Sequence, residues 1–228
     1  MARGRGGVPV TTTSTSLRFA LIVTAASGFL DAYTFVSRGG VFANAQTGNV
    51  IFLAIELSRT QWSAAADHLW PLLAFVVGVV IANVIKSGRA ERHVHRPIRW
   101  SVAAQAAILA VVGFVPDTVP NALVTVPIAF IASLQFALFR TIGDLNFIAV
   151  AMTGNLMRFT DAGFAALVDR DPAGRRAVRV YSAVIAVFAL GALAGAAATE
   201  TIGVRAAWIP AAVLAATLII FLIDERAE

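Results

Sequence analysis

Five stretches of this chain, residues 69–85, 100–116, 118–139, 180–199 and 206–223, contain no charged side chain at all. A helix that crosses a bilayer needs about 20 predominantly apolar residues, with a range of roughly 17–25, and each stretch falls in that range. A sixth, 17–36, differs only in carrying Arg18 at its start and Asp31 within. Only 14% of the 228 residues are charged, against roughly 25% in a soluble domain, so too little charge is present to cover a globular surface. The expected fold class is an all-α polytopic membrane protein with 17–223 as one membrane domain. Residues 1–16 are read as a disordered cytoplasmic tail, and 224–228 as an acidic C-terminal tail.

Two segments interrupt the pattern. Asn44-Ala45-Gln46-Thr47-Gly48-Asn49 and Met152-Thr153-Gly154-Asn155 each set a Thr-Gly-Asn triplet in an apolar run too broken for an ordinary spanning helix. The threonines lie 153 − 47 = 106 positions apart, a little under half the chain. Both halves then read as span, triplet segment, span, span, with repeat 1 over 17–116 and repeat 2 over 117–223. The third element carries small residues in each half, Gly78 and Ala82 against Gly191 and Ala194-Gly195, which permit close helix packing in lipid. The fourth begins with a tryptophan, Trp100 or Trp208, as suits a membrane interface.

Charge decides the topology. If both triplet segments crossed fully, one of the basic stretches Lys86–Arg99 and Arg170–Arg179 would have to lie outside, against the tendency of such loops to stay cytoplasmic. If each triplet segment enters and returns on the same side, six spans remain and both termini are inside. Of the 18 Lys and Arg residues, only Arg38, Arg59 and Arg205 are then outside. The spacing therefore predicts six transmembrane helices plus two re-entrant segments entering from opposite faces, an inverted 3+3 repeat. Transporters commonly place a midplane site at such a repeat interface.

The triplet chemistry fits a break in a membrane helix. Gly48 and Gly154 relax the backbone or admit a close neighbour, Thr47 and Thr153 can cap the following helix, and Asn49 and Asn155 offer both a donor and an acceptor. Helices from about 48 to 57 and 154 to 163 would point their amino ends, each carrying roughly half a positive charge, at the membrane centre. Such ends favour an anion or an electron-rich polar solute. Asn44 and Gln46 are read as cavity liners. Asp31, the one acid well inside a span, is read as a proton site or gate, or as the structural partner of Arg140 or Arg38. Gln135 and Arg140 close the matching span of the second half.

Cysteine is absent, which excludes disulfides and thiolate sites. His68, His93 and His95 are expected in solvated loops, so no metal, cofactor or catalytic constellation is expected, and the basic balance is read as cytoplasmic loops rather than a nucleic-acid surface.

Gly28-Phe29-Leu30-Asp31-Ala32 with Phe42–Asn49, and Leu134-Gln135 with Arg140 and Met152–Leu156, resemble the YoaK-like family of small bacterial integral membrane proteins, grouped as a domain of unknown function. Phe136 stands where that pattern leads one to expect an Asn. The resemblance implies a multi-pass protein of the bacterial inner membrane and supplies no substrate. The functional expectation is a non-enzymatic transporter or channel for a small anionic or polar solute, with the bilayer as partner and room for pairing with a second copy. The alternative is an assembly partner or sensor whose triplets serve only packing.

Overall fold

The computed structural model describes residues 17–87, 97–139, 141–142, 145–146 and 151–227. The expected N-terminal tail, Arg140, His93 and His95 lie outside them. The described residues form eight α-helices: α1 (Leu17–Ser37), α2 (Gln46–Ser58), α3 (Trp62–Lys86), α4 (Pro97–Val112), α5 (Ala122–Leu138), α6 (Met152–Leu167), α7 (Pro172–Ile202) and α8 (Trp208–Ala227). A 3-10 turn, Gly203–Ala207, joins the last two, and a two-residue antiparallel ladder pairs Thr141–Ile142 with Leu145–Asn146. Leu17–Ser37, Trp62–Lys86 and the run Pro172–Ile220 are long and apolar enough to cross a membrane, while α4 and α5 are apolar and shorter.

Helix limits depart from expectation where polar residues find partners in space. The stretch 62–68, whose His68 was expected in a solvated loop, is the first two turns of α3. There His68 is buried, its ring stacked on Phe52 at 5.3 Å, and Asp67 accepts from Asn121 Nδ2 at 3.1 Å. Likewise Arg175, Arg176 and Arg179 ride on the start of α7 instead of a loop. Asp171 caps that helix by accepting from the Ala173 N–H at 2.9 Å, with Pro172 in the first turn, an arrangement that satisfies an orphan donor and fixes φ in advance. At the other end of the chain, α8 continues through 224–227, so the acidic tail is helical there.

Packing rests on small residues, as expected. A Cβ on Gly191 or Gly195 would overlap the backbone of Ala25 or Phe29 on α1, and one on Gly78 would meet Ser133 and Phe130 of α5. The axes can approach this closely only without side chains at those points. Contacts at 25 with 191 and at 29 with 195 make α1 and α7 parallel neighbours. Asp67–Asn121, Gly78–Ser133 and Lys86–Ala137 do the same for α3 and α5. Meanwhile α2 packs on α3, α6 on α7, and α4 on α8. Exchanging α1–α4 with α5–α8 turns this set of neighbours into itself. The outer face of α3 presents Val76, Val77 and Val80, each about half exposed, as a lipid-facing surface does.

The connections after α1, α4 and α7 gather at one end. Arg38 donates from its guanidinium to the Val115 and Pro116 carbonyls at 2.7 and 2.8 Å. Tyr33 Oη donates to the Val204 carbonyl, and Trp208 Nε1 to that of Ala110, both at 3.1 Å. Near the opposite end, the rings of Phe19 and Phe139 meet edge-on at 4.9 Å.

Candidate functional site

Gly39 and Gly40, with φ of 67° and 77°, make the turn that few other residues could make, and the chain folds back along α1. The Ala43 N–H donates to Thr34 Oγ1 at 3.1 Å, those of Asn44 and Ala45 to Asp31 Oδ1 at 2.7 and 3.2 Å, and Asn44 Nδ2 to the Ser27 carbonyl at 3.3 Å. From Ser37 to Asp31, which holds the Asn44 and Ala45 N–H groups, is about 9 Å at 1.5 Å per residue. There α2 begins and returns toward the Ser37 end of α1. Its Phe52 lies 6.3 Å from Phe42 and from Phe35, close to the end of α1 from which the chain came.

Asn49 holds this fold-back shut. Its Nδ2 donates to the Phe42 carbonyl at 2.7 Å and to Gln46 Oε1 at 3.0 Å, while its Oδ1 accepts from the Phe42 N–H at 3.0 Å. One amide side chain thus satisfies both backbone groups of Phe42, as a neighbouring strand would. Gly48 leaves room for the Phe42 ring, which would lie 2.6 Å from an added Cβ.

The threonines do not cap. The helices start at Gln46 and Met152, with Ala45 and Ala151 at the cap positions and no side-chain cap bond. Thr47 and Thr153 are exposed, and in both triplets the Asn is the fully buried member. Arg158 Nη1 comes within 3.5 Å of where a Cβ on Gly154 would be, which puts a cation beside the amino end of α6. Gln135 is buried on α5 with no partner for Nε2, beside the buried Phe136.

Arg140 lies outside the described residues, and Asp31 does not pair with Arg38, the other arginine named for it. Its carboxylate receives backbone donors at the amino end of α2, where a negative charge is stabilised by the free N–H groups and the helix dipole. The anion expected at this helix end is therefore a residue of the chain itself. Arg38 is instead fully buried and spent on the α4–α5 connection.

Ser27, Thr34, Phe42 and His68 belong to the site without having been singled out for it. Their signal was present in α1: Thr24, Ser27, Asp31 and Thr34 recur at helical spacing, a buried polar stripe on one face.

Residues 19–220 match a family model described as a protein of unknown function, DUF1275. The chain belongs to this family. A curated relative, UPF0700 transmembrane protein YoaK of Bacillus subtilis (strain 168), is 25% identical over 134 residues, 57% of this chain and 59% of the relative. The match thus takes in less than two thirds of that relative's length. No solved structure matches the chain. Family membership and the apolar helices together make this a multi-pass membrane protein in contact with the lipid bilayer.

Proposed function

We propose that the protein is a transporter or channel of the bacterial inner membrane for a small polar or anionic solute. On this reading six helices span, α2 and α6 with their lead-in segments are re-entrant, and the halves are an inverted 3+3 repeat with both termini cytoplasmic. Several observations support it. The pattern of helix neighbours maps onto itself when the halves are exchanged. Thr60 and Arg170, the positive-φ non-glycine residues among those described, occupy the corresponding turns after α2 and α6. The chain also goes down and comes back along one end of α1 at 41–58.

The observation that carries the functional step is the unwound stretch 41–45. It lies largely buried against Asp31 and Ser27, about 9 Å along α1 from Ser37, which on this reading is inside the hydrocarbon core. Irregular backbone at that depth persists only where protein buries it or where it lines a wet cavity. The two breaks differ in charge. The first has Asp31 at its helix end, so it favours hydrogen-bond donors, whereas the second, with Arg158 beside Gly154, suits an anion. On this reading the solute site lies between them, with Gln135 on the side of the second.

The test is stopped-flow light scattering on proteoliposomes with glycerol, glycine, formate and acetate as probe solutes, comparing wild type with Asn49→Leu. Flux above protein-free vesicles that falls in the variant is expected. No flux for any probe would favour the second reading, an assembly partner or sensor with no transport and no catalysis. Its support is that the Asn49 amide is fully occupied by Phe42 and Gln46.

A further inference from the structure

We infer that Asp31 and Asn44 form a proton-binding site, in which a proton carried on Asp31 Oδ2 bonds to Asn44 Oδ1 and latches the first break onto α1. Both side chains are more than nine-tenths buried, and both of these oxygens lack any partner. The rest of the constellation is satisfied: Asp31 Oδ1 takes two backbone N–H groups and Asn44 Nδ2 has the Ser27 carbonyl. The two residues are already joined through the Asn44 N–H at 2.7 Å, and what their two free oxygens lack is a hydrogen, because two acceptors cannot satisfy each other.

A metal cation needs more oxygens than are free here. The Ser27 carbonyl is already bonded to Asn44, and that of Ala43 accepts from Gln46 Nε2, while hard cations take six or more oxygen ligands.

Among the described residues, no charge from the surrounding elements answers Asp31. On α1 itself, Arg38 gives its guanidinium to Val115 and Pro116, and Tyr33 its hydroxyl to Val204. On α2, Glu56 is 3.6 Å from Arg59, and His68 of α3 lies against Asn49. Along 180–199 of α7 Tyr181 is the one titratable side chain, and Glu200 and Arg205 beyond it are exposed. Residues 208–220 of α8 carry none.

An unpartnered buried carboxylate is costly, yet the amino end of α2 stabilises its ionised form. The site therefore has two states. Protonated, Asp31 bridges α1 to Asn44 through the O–H. Ionised, one oxygen stays on the Asn44 and Ala45 N–H groups while the other repels Asn44 Oδ1, and the break is released from its side-chain latch. The proton moves between Asp31 and solvent, and nothing else is consumed.

This inference rests on the geometry of the first break and not on transport, so the readout uses no solute. Infrared spectra of the purified, detergent-solubilised protein at neutral pH are expected to contain the carbonyl stretch of a protonated carboxylic acid. The band should move when aspartate is labelled with 13C at its side-chain carboxyl, and should vanish in Asp31→Asn, whose amide N–H replaces the acid O–H. Asp31→Asn should keep its melting temperature, whereas Asp31→Ala, which strands the Asn44 and Ala45 N–H groups, should lose about 4 °C or more. Labelling of the wild-type protein needs no variant to fold. If no acid band shifts with the isotope, Asp31 is ionised or bridged by water and the proposal falls, whatever the flux measurements give. A positive result with no flux would leave the proton site standing and remove transport.

Discussion

Replacing Asn49 by leucine keeps the volume near the original and removes the hydrogen bonds that its amide makes to Phe42 and Gln46 across the first break. In the native arrangement its amide serves the N–H and the C=O of Phe42 at 3.0 and 2.7 Å, and no other partner takes either group. Each buried backbone group left unsatisfied costs about 1–3 kcal/mol. Phe42 is only partly buried, so the low end applies, and two groups give about 2 kcal/mol in favour of opening. At 1.4 kcal/mol per factor of ten, that raises the open population roughly thirty-fold. The native chain has no cysteine, so a single Ala43→Cys, at a position with no exposed surface, reports opening directly through its alkylation rate. The rate is compared with and without Asn49→Leu in that same background. A rise of an order of magnitude or more is expected. A change of less than about twofold, corresponding to well under 1 kcal/mol, would mean that Asn49 does not hold the break, and the account of both triplets would fail with it.

Two further predictions follow from the packing and the topology. Gly191→Leu should lower the melting temperature by about 2–10 °C, from 1–3 kcal/mol of overpacking, because its side chain would enter the backbone of α1 at Ala25. Gly163→Ala, where nothing lies within 4 Å, should raise stability by roughly 0.5–1 kcal/mol, and equal effects of opposite sign to these would refute the packing scheme. For topology, exposed single cysteines at Ser58 and Thr201 should react with an impermeant maleimide from outside intact cells, and those at Ser87 and Asp169 only after permeabilisation. Labelling of Ser87 and Asp169 from opposite faces would break the inverted repeat.

How much of this was legible beforehand depends on the range of each interaction. Apolar runs, the two Thr-Gly-Asn breaks and the small residues of α3 and α7 follow from the demand that backbone in lipid be satisfied within its own segment, a local demand that a sequence displays. The start of α3 at Trp62 and of α7 at Pro172 was hidden. The polar residues there look like loop until His68 is seen against Phe52 and Asn49, and Asp67 against Asn121. The role of Thr47 and Thr153 was misread for the same reason, since capping depends on where the helix begins and these begin two residues earlier than expected, at Gln46 and Met152.

What the sequence determined alone is a helical chain for a bilayer, broken twice at matching places, with an acid in its first span. Tertiary structure decided what meets that acid. Its partners are the backbone N–H groups of Asn44 and Ala45, and every residue but proline carries such a group, so no pattern of side chains could announce the contact. It exists because Gly39 and Gly40 turn the chain back along α1, and a fold-back is a property of the path in space, not of any one stretch of residues.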